Sequence, residues 1–263
     1  MRHALKVARY TFADLLRSRW IVGYAAFFAA VAWAFFYFGE EPSQAIVSLL
    51  SLVLLVIPLV SGLFGMTQFY GSREFVELLL TQPVGRRSVF YGQYAGVTAG
   101  LALAFVAGVA GPFVWYGAGH REDLGAVIGL LLAGVFLTLI FTALAFLVST
   151  LTENRLRALS TVVFLWLAFT VLYDGLLLFV ILLFDAWPLE RPLLGLTLLN
   201  PVDLARILIL LRLDAAALLG YTGAVFARFF GSAWGTALAL SALVAWTVVP
   251  VGLAARAYRR RDF

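Results

Sequence analysis

The sequence predicts an all-α polytopic membrane protein. It has six transmembrane helices, an N-terminal amphipathic interfacial helix, re-entrant outer helices before span 6, and both termini cytoplasmic. Three observations predict this. Hydrophobic residues make up 63% of 263, charged ones only 13%, and mean hydropathy is +0.98; a soluble domain is about one quarter charged. Several apolar runs reach the ~20 residues that cross ~30 Å of hydrocarbon, without the short alternating segments of a barrel. The basic residues then divide very unequally between the two sides of a six-span threading.

Residues 1–19 read as the interfacial helix. At 100° per residue Arg2, Lys6, Arg9 and Arg17 share one face, and Ala4, Leu5, Ala8, Phe12, Leu15 and Leu16 the other. That pattern suits a helix lying among anionic lipid headgroups. A plain basic flank that orients the first span is the blander reading. No small-residue cleavage site follows a short apolar core, as a secretory signal requires.

Span 1 is placed at 20–38 and span 2 at 45–66, with Pro58 inside span 2. A proline in a span frees a carbonyl and bends the helix, and bundle neighbours satisfy the freed group. Between spans 2 and 3 lies the longest polar interruption of the first half, with a loop set at 67–90. Span 3 runs 91–116. Gly92, Gly96, Gly100, Ala104 and Gly108 form a ladder of small residues on it, and Gly125, Gly129 and Ala133 open span 4 at 124–151. Such stripes let another helix approach closely. They are expected to pack together or against a second subunit.

Span 5 is placed at 158–184 and contains Asp174; span 6 at 236–255 contains Pro250. With both ends inside, the inner Lys and Arg are Arg2, Lys6, Arg9, Arg17, Arg19, Arg73, Arg86, Arg87, Arg155, Arg157, Arg256, Arg259, Arg260 and Arg261. That is fourteen of 19, leaving five outside. A seventh span at 204–226 throws the basic tail outside. It also sets Arg212 and Asp214 near mid-bilayer, at about 2.5–3.5 kcal/mol each. The outer segment 185–235 is therefore read as two short helices, about 201–213 and 215–229, that dip into the outer leaflet and return. Asn200 is a cap, Pro201 suits the first helical position, and Asp203 meets the positive helix end with Arg206 on its face. Helix capping alone and docking of a partner remain equally open for these residues.

Composition excludes several chemistries. The chain has no Cys, hence no disulfide or thiolate site. Its one Lys, Lys6, has no glycine-rich phosphate loop around it, so ATP hydrolysis is not expected in this chain. No paired acids, zinc motif or axial histidines occur in the spans, so neither intramembrane catalysis nor haem chemistry is expected. No metal site and no cofactor are expected here. Net charge +5 fits arginines on the cytoplasmic rim, not nucleic acid. Asp174 is an intramembrane candidate, because an ionisable group in a span is costly; pairing with an outer Arg explains it equally well. Met1, Met66, His3 and His120 lie at the edges of the spans. A bare copper ion, which seeks soft ligands, is not expected to pass.

The stretch Arg-Glu-x-x-Glu-Leu-Leu-Leu-Thr-Gln-Pro-Val-Gly-Arg at 73–86 resembles the charged stretch of the type-2 ABC export permeases, as does the six-span layout. The run Asn-Pro-x-Asp-x-x-Arg at 200–206 is similar to the NosY-like permeases that help mature nitrous oxide reductase. This chain has Phe75-Val76 where the family usually carries Gly-Thr. The resemblance implies one permease domain over 1–263 in a bacterial inner membrane. It implies a second copy, cytoplasmic ATPase subunits that hold ATP and magnesium, and a periplasmic repeat protein. Arg73, Glu74 and Glu77 would pair at the ATPase rim, Leu78, Leu79 and Leu80 would fill its groove, Pro83 would end the helix, and Arg86 with Arg87 would hold the headgroups. Asn200, Pro201, Asp203 and Arg206 would meet the periplasmic partner. An ordinary solvated loop suits Pro83 and the charges too. Export of lipid, polysaccharide or a toxic compound, and a passive anchor, are the competing functions.

Overall fold

The computed structural model describes residues 2–39, 42–80, 84–116, 124–184, 190–213 and 223–260. Among them there is no strand. The helices are α1 Arg2–Arg17, α2 Arg19–Phe38, α3 Pro42–Gly71, α4 Arg73–Leu80, α5 Arg86–Tyr116 and α6 Leu124–Leu151. They continue with α7 Arg155–Leu167, a π-helical turn Ala168–Leu172, α8 Tyr173–Leu183, α9 Glu190–Leu198, α10 Pro201–Arg212, α11 Gly223–Phe230 and α12 Ala233–Arg260. Six helices are long and apolar enough to cross a membrane: Arg19–Phe38, Gln44–Gly71, Arg86–Trp115, Leu124–Leu151, Arg155–Leu183 and Ala233–Arg260.

The loop expected at 67–90 is shorter than that. Span 2 stays helical through Gly71 and span 3 begins at Arg86. Span 6 likewise carries Arg256, Arg259 and Arg260 on its last turns instead of in a tail. Backbone bonds outlast the apolar run because a helix end costs little once its nucleus exists.

α6 is at the centre, packed by α3, α5 and α12, while α1 and α2 lie along α5. Phe28, Phe105 and Leu137 are fully buried along this seam. Inside a bilayer such contacts are held by close packing, not by expulsion of water.

The glycine ladder of α5 does not pack on the stripe of α6. A Cβ at Gly92 would fall 2.7 Å from the Ala4 carbonyl oxygen, and one at Gly96 2.7 Å from that of Ala8. One at Gly108 would fall 2.7 Å from the carbonyl oxygen of Ala25. The ladder therefore seats α1 and then α2. Nothing lies within 4 Å of such an atom at Gly125 or Gly129. The interfacial helix is correspondingly turned. Val7, Thr11 and Leu15 are buried on α5, whereas Leu5 and Leu16 are exposed beside the exposed Lys6, Arg9 and Arg17.

Three chain segments meet at one end of the bundle. α1 lies on the start of α5, the Tyr10 and Phe75 rings stack at 5.0 Å, and Arg86 donates to the Arg259 carbonyl at 3.3 Å. The N-terminal helix, the hairpin between spans 2 and 3, and the end of span 6 thus share a side.

Among the described residues of 185–235 there is one more helix than the two expected, α9. It meets α10 at 109° across residues 192–211. α10 starts at Pro201 as expected. α11 covers part of the second expected helix, and residues 214–222 lie outside the described set.

Candidate functional site

The shared end is built around α4. Ser72 separates it from α3, yet the amide of Val76 still donates to the Ser72 carbonyl at 2.9 Å. α4 is thus a bent continuation of span 2. The bend is pinned from span 3, where Gln93 Nε2 donates to Ser72 Oγ at 2.8 Å. The amphipathic sequence of α4 decides what it shows. Val76 is buried, Leu79 packs on the core, and Phe75 lies on Tyr10. Arg73, Glu74 and Leu78 face outward, Leu78 with 68% exposure. The leucine triplet is therefore divided: Leu78 points out and Leu79 in. Glu77 and Leu80 are on the helix, but their side chains lie outside the described set, as does the whole of Pro83.

Sequence reasoning missed what anchors α4. Tyr10, Ser72 and Gln93 were not singled out. The signal available was Phe75-Val76, the pair that departs from Gly-Thr, because these two residues supply the stacking ring and the buried methyls. Beneath them, rings from four spans meet. Phe69 and Phe146 are 5.5 Å apart, Phe90 and Tyr258 5.3 Å, and Phe90 and Phe146 5.8 Å, the edge-on or tilted spacing aromatic pairs prefer. Tyr70 adds a tie to the turn between spans 4 and 5, donating to the Thr152 carbonyl at 2.6 Å.

At the other end the residues of 200–206 form one polar network with span 5. Asn200 Oδ1 accepts from the Val202 amide at 2.9 Å, the N-cap bond. Asn200 Nδ2 donates to Asp203 Oδ2 and to the Phe169 carbonyl, both at 2.9 Å. Phe169 belongs to the π turn. Arg206 Nη1 donates to Asp174 Oδ1 at 3.2 Å and Oδ2 at 3.0 Å, and is 3.1 Å from Asp203 Oδ1. Asp174 is thus paired with Arg206.

The same region fixes the bend between α9 and α10. The last carbonyls of α9 lose their i+4 partners, and Leu196 and Thr197 instead accept from the Leu199 and Asn200 amides at 2.9 and 3.2 Å. Leu196 accepts from the Tyr173 hydroxyl at 2.6 Å and Leu198 from Trp246 Nε1 at 3.2 Å. Asn200, Pro201 and Asp203 are buried; Arg206 and Asp174 reach the surface, their side chains 31% and 41% exposed. Capping accounts for the first three. Within 199–206 and its span 5 partner, the surface is formed by Arg206, Asp174 and the exposed Leu199. Among the described residues no group of three or more His, Cys, Asp or Glu comes together as a metal site.

The model of the ABC-2 family transporter protein matches residues 5–263. The chain is 31% identical over 272 residues to a probable ABC transporter permease protein NosY of Pseudomonas aeruginosa, covering 97% of each. It is 27% identical over 289 residues to the probable ABC transporter permease protein NosY of Stutzerimonas stutzeri, covering 99% of each. A match over nearly the whole chain, on a bundle with six candidate spans, establishes that this protein belongs to the ABC-2 family of transporter permeases.

Proposed function

We propose that this chain is the membrane half of an ATP-driven machine. It takes force from a cytoplasmic ATPase at α4 and delivers it to the opposite face, for export or for mechanical work on a periplasmic partner. The observation that carries this is the construction of α4. It is rooted in the bundle by Val76, Leu79 and the Phe75–Tyr10 stack, while the side chains of Arg73, Glu74 and Leu78 are exposed. A solvated turn needs no root. A handle does, because a force applied to a loose loop moves only the loop.

Fourteen of the 19 Lys and Arg fall to the α4 side of the six-span threading, which favours that side as cytoplasmic. ATP and magnesium would belong to the ATPase, and two copies of the permease would work together. Resemblance to the NosY-like permeases supports a role in maturation of the copper enzyme nitrous oxide reductase, with the outer network facing a periplasmic repeat protein.

The test is co-purification from the native membrane. Glu74→Ala with Glu77→Ala is expected to lose the ATPase and the hydrolysis it stimulates. A cysteine replacing Leu78, in a chain with none of its own, is expected to cross-link to the ATPase. Retention of full ATPase association and activity in the double variant, with no cross-link, rejects the coupling role. Labelling of a Ser72→Cys variant by an impermeant thiol reagent from outside rejects the orientation.

A further inference from the structure

We infer that the cavity beside Arg206 is a binding site for a small amphipathic oxyanion, held by the guanidinium edge that the two aspartates leave free. The cavity lies between α3, the π turn of span 5 and α10, and measures about 390 Å³. That falls within the ~300–1,000 Å³ of small-molecule sites. Leu50, Leu54 and Leu210 give it apolar walls; Ser51, Thr170 and Arg206 give it polar atoms. Its mouth is at Ser51 and Leu55, both exposed.

The polar atoms sort by what they can still offer. Ser51 donates to the Val47 carbonyl at 3.3 Å and Thr170 to that of Trp166 at 2.7 Å, so each hydroxyl has spent its proton and presents lone pairs. Arg206 is different. A guanidinium has five N–H donors in a fixed fork. Its contacts with Asp174 and Asp203 all run through Nη1. Nε and Nη2 have no hydrogen-bond partner among the described residues. A charged fork with unused donors beside an apolar cavity matches a carboxylate, phosphate or sulfonate head on a short apolar body. A protonated oxygen on the head can donate to Ser51 or Thr170.

Charge does not forbid the anion. The carboxylates do not line the cavity. Asp203 is held by Asn200, is almost fully buried and does not line the cavity. Asp174 is 41% exposed and can turn to water as the oxyanion arrives. This inference does not rest on the coupling reading, since a chain with no ATPase would still bind.

The test uses the full chain in phosphatidylcholine nanodiscs titrated with hexyl phosphate by calorimetry. Saturable binding is expected. Asp174→Asn removes the internal competitor and is expected to tighten it roughly threefold or more, the scale of a lost exposed ion pair. A misfolded variant cannot give that gain. Leu54→Trp fills the cavity and is expected to abolish binding. No saturable heat, or equal binding in the wild type and both variants, overturns the inference. A further arm replaces one fifth of the lipid with phosphatidylglycerol. Competition with hexyl phosphate identifies the occupant as an anionic lipid headgroup, and unchanged affinity identifies a soluble oxyanion; either agrees with the site.

Discussion

Replacing Asn200 is expected to open the outer bend, and two substitutions at that position separate the causes. Asn200→Ala removes three bonds at once: the cap to Val202, the bond to the Phe169 carbonyl and the bond to the Asp203 carboxylate. A lost cap costs about 1 kcal/mol. The bond to a neutral carbonyl is worth about 1, and the bond to a carboxylate about 1.5–3 kcal/mol. Allowing for overlap, the expected loss is about 3–5 kcal/mol. At about 1.4 kcal/mol per decade, that is a hundred- to several-thousand-fold increase in local opening. Hydrogen–deuterium exchange of the α10 amides reads this directly. Asn200→Asp is the sharper probe. Asp caps helices as well as Asn, so a capping role alone predicts wild-type protection. The structure predicts otherwise. Asp keeps the Val202 bond, loses both Nδ2 donors and sets a third carboxylate beside Asp203 and Asp174. Its α10 amides should exchange at least as fast as those of the Ala variant. Protection equal to wild type in Asn200→Asp refutes the argument that Asn200 ties α10 to the π turn.

Gly96→Val is expected to undock α1, because its Cβ alone would fall 2.7 Å from both the Ala8 carbonyl oxygen and the Thr11 Cβ. Proteolysis of residues 1–19 should speed up, while Gly129→Val, with nothing within 4 Å of its Cβ, should behave as wild type. Tyr10→Ala removes the stacked partner of Phe75 and should raise exchange in α4 without altering that of α6. The Glu74 and Glu77 substitutions and the Asp174 and Leu54 titrations described above complete the set.

How much of this was legible depends on the kind of signal. Hydropathy gave six spans, because a run of about 20 apolar residues has few other soluble or membrane solutions. The ladder at Gly92, Gly96 and Gly108 announced close approach but not by what. A missing Cβ records that a backbone comes near, and α1 and α6 would leave the same mark. Asn200 was readable as a cap because that bond is local. Its second bond, to Phe169, was not, since the two are separated by 31 residues. The leucines at 78 and 79 looked like one apolar face, yet neighbouring helix positions differ by about 100° and the two end on opposite sides. For Asp174 the sequence leaves a functional group and a partner for some outer Arg equally open, because an ionisable group in a span is costly either way; that the partner is Arg206, 32 residues on, is not legible in it. Nothing in Ala-Phe-Thr-Val-Leu at 168–172 marks a change of helix type.

The π turn there has a consequence for how span 5 is phased. A π turn acts as one residue slipped into an α-helix, so everything after it is rotated by about 100° from where an unbroken α-helix would leave it. Asp174, two residues past its end, owes its bearing toward Arg206 to that slip. Trimming one residue from the turn should restore a regular helix and leave Asp174 on its present bearing, whereas winding the turn as α with every residue kept would swing Asp174 about 100° away. The outer ion pair is thereby geared to the winding of the span itself.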